Sequence, residues 1–119
     1  MAQRKFPRVS TDLQAVALLG LDDAVTLEVK QLSMGGCLLS SDDLFDTSRL
    51  NNLTFSIQGI SINAVANPIY CTMRGSKVFW GVSFAKLSPI ASYYLNKFIN
   101  KQIELFGELK GTSLSPVNR

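Results

Sequence analysis

The sequence predicts a mainly β protein, a small six-stranded antiparallel β-barrel followed by one C-terminal α-helix. Four segments alternate apolar residues with polar or small ones, no helical pattern separates them, and apolar residues recur at helical spacing only after Ser88. Short strands at close spacing are typical of a closed or nearly closed barrel. A chain of 119 residues can bury one core of this kind but not two.

The strands follow from an alternation of period two, which a strand with one buried face requires. In the four strongest strands the buried positions are Val25, Leu27 and Val29; Leu53, Phe55 and Ile57; Ile60, Ile62, Ala64 and Ala66; and Val78, Trp80, Val82 and Phe84. Weaker patterns at residues 13–18 and 37–40 complete the set of six. Gln58-Gly59 predicts a tight hairpin. Asn67-Pro68 predicts a bulge or an edge, because proline lacks a backbone donor.

A helix is predicted to begin at Ser88, a good N-cap, with Pro89 in the first helical position. Its apolar stripe comprises Leu95, Phe98, Ile99, Gln102, Ile103 and Phe106. We expect this stripe to lie on the barrel, with a dimerising helix as the alternative. The predicted organisation is a flexible ligand-binding segment at residues 1–10, the barrel and helix at 11–110, and a disordered tail at 111–119.

The composition excludes several functions. The sequence contains no histidine, so it cannot form a Ser/His or Cys/His nucleophile or a histidine-ligated metal site, and neither an enzyme nor a metal protein is expected. Cys37 and Cys71 lie in apolar stretches and are expected to be buried free thiols. The early apolar run at residues 15–21 is too short to span a membrane and has no export signal around it, so a cytoplasmic location is expected.

The net charge is concentrated at the N-terminus. Arg4, Lys5 and Arg8 lie in the first eight residues without an acidic neighbour, whereas residues 9–119 carry nine basic and nine acidic groups. Pro7 keeps this segment from forming a helix. A short basic segment next to a neutral body is better suited to a small anionic partner, such as a phosphate compound, than to a long nucleic acid.

Two further motifs follow in order. A turn with Ser33, Gly35 and Gly36 comes directly after the strand that ends near Lys30, and Gly81-Val82-Ser83-Phe84 lies in the last strand before the helix. Together, an Arg-x-x-x-Arg segment, an [Asp/Asn]-x-Ser-x-x-Gly turn and a Gly-Val-x-Phe strand resemble the PilZ domain family. The resemblance covers about residues 3–106, and its order of strands and helix agrees with the barrel predicted from periodicity.

This resemblance implies a receptor for cyclic di-GMP that needs no other cofactor. The implied ligand-binding residues are Arg4, Arg8, Gln31, Ser33 and Gly36, with secondary contacts from Lys5 and Gly35. Guanidinium groups can bind phosphate oxygens and the guanine edge and can stack on the base. Some family members present a ligand-stacking residue near Tyr70 or Cys71, and the sequence leaves the choice between them open. The family binds either one ligand or an intercalated pair, and both stoichiometries fit the motif.

The resemblance also implies a mechanism, in which binding pulls Arg4 and Arg8 onto the barrel and changes the surface that a regulated protein contacts. Gln31 departs from the motif, since the family has Asp or Asn there. The alternative function is therefore a PilZ-like adaptor that binds proteins without nucleotide. An oligonucleotide-binding barrel is disfavoured, because the strands lack exposed basic and aromatic residues for stacking successive bases. No membrane insertion is expected, and the oligomeric state is a monomer or a weak dimer.

Overall fold

The computed structural model describes residues 6–20, 23–46 and 50–109. The elements are β1 Val9–Leu19, β2 Asp23–Leu32, β3 Gly36–Ser41, β4 Leu50–Ile57, β5 Ile60–Arg74, β6 Lys77–Leu87 and α1 Pro89–Phe106. The strands form one closed antiparallel barrel in the order β1-β2-β3-β6-β5-β4. This confirms the predicted six-stranded barrel with a C-terminal helix.

The barrel interior is filled by the apolar positions that the alternation predicts. Trp80 is its largest side chain and is 1% exposed. Its ring stacks on Phe45, with 4.4 Å between the ring centroids, so the loop after β3 covers one part of the interior. The burial of apolar side chains in such a core supplies most of the favourable free energy of folding.

The helix begins and packs as predicted, except at its end. Ser88 is the N-cap, and its hydroxyl accepts a hydrogen bond of 3.1 Å from the Ala91 N–H. Leu95 and Ile99 are buried in the barrel core, so the stripe lies on the barrel. Phe106 is the exception, since it is 77% exposed. The chain leaves the helix at Gly107, directly after this residue.

The predicted hairpin at Gln58-Gly59 and the predicted bulge at Asn67-Pro68 are both confirmed. Gln58 and Gly59 have positive φ angles of 51° and 85°, which fits the two-residue hairpin turn between β4 and β5. The pairing of β5 with β6 shifts between Pro68 and Tyr70, which places a bulge directly after Asn67-Pro68.

Two sequence expectations need correction. Cys37 is buried, but Cys71 is exposed. Among the described residues β4 pairs with β5 only as far as Val65, and beyond it β5 pairs with β6 alone, so Cys71 lies on a part of β5 that has one neighbouring strand. The boundary at residue 10 also shifts, because β1 already begins at Val9 and Val9 is part of the core.

The remaining parts of the predicted organisation concern residues outside the described ranges, namely residues 1–5 and the tail at 111–119. Within the described residues, no helix has the length and apolar character that crossing a bilayer requires.

Candidate ligand-binding site

The turn between β2 and β3, residues 33–36, is held together by Ser33. The Ser33 N–H donates to the Gly36 carbonyl at 2.9 Å. The Ser33 hydroxyl accepts from the Gly35 N–H at 3.1 Å and donates to the Gly36 carbonyl at 3.3 Å. One acceptor position of the hydroxyl is left after these bonds. Ser33 is therefore fixed by its own turn and can accept a hydrogen bond from a ligand more readily than it can donate one.

The two glycines of the turn allow close approach by other parts of the chain. A Cβ atom at Gly36 would overlap the carbonyl oxygen of Val82 in β6. A Cβ atom at Gly35 would lie 2.9 Å from Cδ2 of Phe6. Gly36 is thus required by the packing of β3 on β6, in addition to the ligand approach predicted from the sequence. Phe6, which the motifs do not include, packs its ring on the turn.

The described part of the arginine segment, residues 6–8, lies against the barrel. Arg8 directly precedes β1 and is 3% exposed, and its carbonyl accepts a hydrogen bond of 2.8 Å from the Leu109 N–H. The Phe6 ring on Gly35 brings the segment to the turn at residues 33–36. Because the same turn also packs on Val82 of β6, all three sequence motifs are neighbours in space. Arg4 and Lys5 fall outside the described residues, and their roles stay predictions.

The third part of the site, after the turn and the arginine segment, is a row of cross-strand partners on the outer face of the barrel. This outer row consists of Ser10, Gln31, Leu38, Gly81 and Tyr70, which are paired successively across β1, β2, β3, β6 and β5. Directly paired residues of antiparallel strands share one face. The next row, with Leu32, Cys37 and Val82, belongs to the core, so the outer row faces outward.

Tyr70 covers the middle of the outer row. A Cβ atom at Gly81 would overlap the Tyr70 ring and would lie 2.8 Å from its hydroxyl oxygen, so the ring packs directly on the glycine backbone. Leu38, which is also paired with Gly81, is only 3% exposed although it faces outward. Tyr70 is therefore the candidate for the stacking position that the sequence left open between Tyr70 and Cys71. Cys71 pairs with the core residue Trp80 and therefore points to the opposite face.

Arg8 and Tyr70 also interact electrostatically. Burial raises the pKa of Tyr70 to about 12, and the positive charge of Arg8 acts in the opposite direction. The phenol is therefore neutral at physiological pH and remains a hydrogen-bond donor. Arg8 keeps its charge under all relevant conditions. The site thus combines a cation, a neutral donor and an aromatic ring.

Within the outer row, two buried polar atoms have no hydrogen-bond partner among the described residues. They are Oε1 of Gln31 and the hydroxyl oxygen of Tyr70, both on the outer row. Buried polar atoms are normally paired, and an unpaired one costs about 1–3 kcal/mol. An unpaired acceptor and an unpaired donor therefore lie on the outer row, where the charge of Arg8 also acts on the Tyr70 phenol. Such a set is complementary to an anion that carries a planar, hydrogen-bonding heterocycle.

A cleft lies elsewhere on the molecule, between α1 and the β4–β5 hairpin. Its volume is about 830 Å³, and its lining includes Ile57, Ile60 and Phe98 together with Lys97 and Lys101. Its described lining contains no residue of the arginine segment, the turn at 33–36 or the outer row. The arginine segment and the turn at residues 33–36 therefore lie outside the described lining of this cleft.

No protein-family sequence model matches the chain, and no curated protein sequence does. Solved structures do match. The chain is similar to the PilZ domain of YcgR from Escherichia coli, described with c-di-GMP, with a TM-score of 0.71 and 14% identity over 87% of this chain and 94% of that one.

Two longer proteins are also similar. MotI/DgrA, an inhibitor of motility from Bacillus subtilis, has a TM-score of 0.70 and 15% identity over 87% of this chain and 53% of that one. MrkH from K. pneumonia in its apo state has a TM-score of 0.66 and 17% identity over 88% of this chain and 53% of that one. The chain thus spans about half the length of these two proteins.

The similarity covers 87–88% of the chain, and it agrees with the family that the three sequence motifs resemble. The chain therefore has the fold of the PilZ domain.

Proposed function

We propose that the protein is a receptor for cyclic di-GMP that regulates a partner protein. The observation that carries this proposal is that buried Arg8 interacts electrostatically with Tyr70 of the outer row. The turn at residues 33–36 belongs to the same site, because Phe6 of the arginine segment packs on it. Similarity to the PilZ domain of YcgR, described with c-di-GMP, supports the choice of ligand. The proposed activity is binding, without catalysis.

The chemistry of the ligand matches these groups one by one. Arg8, together with Arg4, provides forked donors for phosphate oxygens and for the O6 and N7 atoms of guanine. The Tyr70 ring provides a surface on which a base can stack, a contact worth about 1–3 kcal/mol. Gln31 and Ser33 offer acceptors for the N1 and N2 groups of guanine. Lys5 and Gly35 contribute secondary contacts.

The proposed conformational change is smaller than the one predicted from the sequence. That prediction starts with Arg8 detached, whereas in the structure Arg8 is buried and Phe6 packs on Gly35. We therefore propose that the ligand tightens a segment that is already docked at residues 6–8, with Arg4 as a further ligand contact. A partner would then recognise the rearranged surface.

The regulated process is proposed from the similar structures. MotI/DgrA is described as an inhibitor of motility, and MrkH as a transcription regulatory factor dependent on c-di-GMP. Outputs of this type fit a domain that binds a second messenger and contacts another protein. A cytoplasmic location fits the same role. The protein is proposed to act as a monomer or a weak dimer.

A nucleotide-independent adaptor is the second candidate, and Gln31 is the observation that favours it. Its side chain is one methylene longer than the Asp or Asn of the family motif, and its Oε1 is buried without a partner among the described residues. A poorly aligned acceptor here would cost about 1–3 kcal/mol of binding free energy, which corresponds to roughly tenfold or more in affinity.

The test is isothermal titration of cyclic di-GMP into the protein and into Arg8→Ala at moderate salt, so that non-specific charge attraction is damped. We expect micromolar or tighter binding by the unmodified protein. Arg8→Ala should weaken it by at least about 100-fold, because it removes a buried charge-assisted contact.

The matched control is Arg74→Ala, which removes an exposed arginine at the end of β5 and should leave the affinity within about twofold, as surface contacts contribute little. Absence of heat from the unmodified protein would reject the receptor and favour the adaptor. Equal losses in both variants would indicate non-specific charge attraction.

A further inference from the structure

The chain that follows α1 turns back toward the arginine segment. At the end of the helix, the Gly107 N–H donates to the Ile103 carbonyl at 2.8 Å, and Gly107 has a φ of 84°, a conformation that glycine adopts without strain. Two residues later, the Leu109 N–H donates to the Arg8 carbonyl at 2.8 Å. Residues 107–109, here called the strap, thus connect the end of α1 to the residue that precedes β1.

The strap spans a gap. A cleft of about 660 Å³ lies between the first residues of β1 and the end of α1, and its lining includes Val9 and Leu13 on one side and Phe106 and Leu109 on the other. Because this space separates the two elements, the bond between Leu109 and Arg8 is a direct link across it. No sequence motif contains Leu109.

The link acts on the backbone that carries the Arg8 side chain. Val9, the next residue, is anchored in the core and 1% exposed, while the carbonyl between Arg8 and Val9 is held by the Leu109 N–H. The peptide group after Arg8 is therefore fixed by the barrel on one side and by the strap on the other. The direction in which the guanidinium leaves the backbone depends on this peptide group.

We infer that Leu109 is a positioning residue for the ligand site, whose backbone N–H holds Arg8 in the orientation that binds cyclic di-GMP and couples the end of α1 to ligand occupancy. This inference rests on the proposed function. Coupling between two sites is reciprocal, so ligand bound at Arg8 also stabilises the strap. The last turn of α1, directly before the strap, carries the exposed apolar residues Leu105 and Phe106.

The first test compares Leu109→Pro, which lacks the N–H, with Leu109→Ala, which keeps the N–H and shortens the side chain. Cyclic di-GMP is titrated into the unmodified full chain and both variants. We expect Leu109→Pro to bind about threefold to tenfold more weakly than Leu109→Ala, in line with the loss of one hydrogen bond. Both variants should unfold at similar urea concentrations, because the strap lies outside the barrel core.

The second test uses the unmodified protein, so it does not depend on a variant folding correctly. Amide hydrogen exchange at Leu109 is measured by NMR with and without saturating cyclic di-GMP, and we expect at least about fivefold slower exchange with ligand. Equal affinities of the two variants, or an unchanged exchange rate at saturation, would overturn the inference and leave the receptor intact. If the unmodified protein gives no heat with cyclic di-GMP, the proposed function fails and this inference fails with it.

Discussion

The interior of the barrel and the outer row are built from adjacent residues of the same strands. Leu32 and Val82 are fully buried apolar side chains of the core, whereas Gln31 and Gly81, each one position earlier, belong to the outer row. Because side chains alternate between the faces of a strand, a step of one residue separates the two regions.

The two faces have different chemistry and different tasks. The interior is apolar and close-packed, so its residues determine stability. The outer row combines a glycine, an aromatic ring and the amide of Gln31 beside Arg8, and it includes buried polar atoms without partners among the described residues. Unpaired buried polar atoms disfavour folding but can form hydrogen bonds with a ligand, and such an arrangement is typical of a binding site. A mutation in the interior should therefore act on stability, whereas a mutation one residue away on the outer row should also act on ligand affinity.

The largest effect on stability is expected from Trp80→Ala. It removes the largest fully buried side chain and its stacking on Phe45, and should lower the free energy of unfolding by about 3–5 kcal/mol. Phe79→Ala is the matched control, because its ring is next in sequence and only partly buried. Urea titration should show a loss for Trp80→Ala at least about 1 kcal/mol larger than for Phe79→Ala. Equal losses would contradict the division between the two faces.

The next largest effect is expected from Gly81→Ala on the outer row. The added Cβ would overlap the Tyr70 ring, so the ring must move, and the affinity for cyclic di-GMP should fall by about tenfold with a stability loss of about 1–3 kcal/mol. The double variant Gly81→Ala/Tyr70→Ala removes the clash and should be more stable than Gly81→Ala alone, as urea titration would measure. A double variant that loses the sum of both single effects would show that the ring and the glycine do not contact each other.

A moderate effect is expected from shortening Gln31. Gln31→Asn restores the side-chain length of the family motif, so calorimetry should show cyclic di-GMP binding about threefold to tenfold tighter. Gln31→Ala removes the acceptor and should weaken binding instead. Weaker binding by Gln31→Asn would mean that the acceptor is already well placed by the longer side chain.

The smallest effect concerns the pH dependence of stability. The folded protein holds the Tyr70 proton more tightly than the unfolded chain does, because burial raises the pKa of Tyr70 to about 12 from about 10 in an unfolded chain. The resulting stabilisation is fully present below about pH 10 and is lost as the pH rises through about 12.

The measurement is urea unfolding at pH 8 and pH 11 for the unmodified protein and Tyr70→Phe, which does not ionise. The unmodified protein should lose more stability than the variant, by less than about 1 kcal/mol, since the ring is partly exposed and solvent screens the charge. An equal loss in both proteins would show that Tyr70 titrates normally.

The sequence predicted the barrel well because most strands bury one face, which leaves a clear period of two. The same reasoning identified the helix from Ser88 and Pro89 and the hairpin at Gln58-Gly59, since these signals are local. It could not predict the exposure of Cys71, which depends on how far β5 extends beyond its pairing with β4. Phe106 likewise belongs to the helical period, but the chain leaves the helix immediately after it.

The site was predictable only in part, because it depends on contacts between residues that are far apart in the sequence. The resemblance to the PilZ family indicated Arg8 and the turn at residues 33–36 as candidate ligand contacts, and the structure places the arginine segment on that turn through Phe6. The choice of Tyr70 over Cys71 required the cross-strand register after the bulge at Pro68. The packing of Phe6 on Gly35 joins residues far apart in the sequence, and no local pattern encodes such a contact.

The central claim is that ligand binds the outer row beside Arg8, and the most direct test is NMR mapping with cyclic di-GMP. Backbone amide shifts are recorded on the unmodified protein during a titration. The account predicts that the largest changes occur at Arg8, Gln31, residues 33–36 and Tyr70, with little change at Lys97 and Lys101 in the cleft along α1. Changes concentrated in that cleft, with the outer row unaffected, would contradict the account.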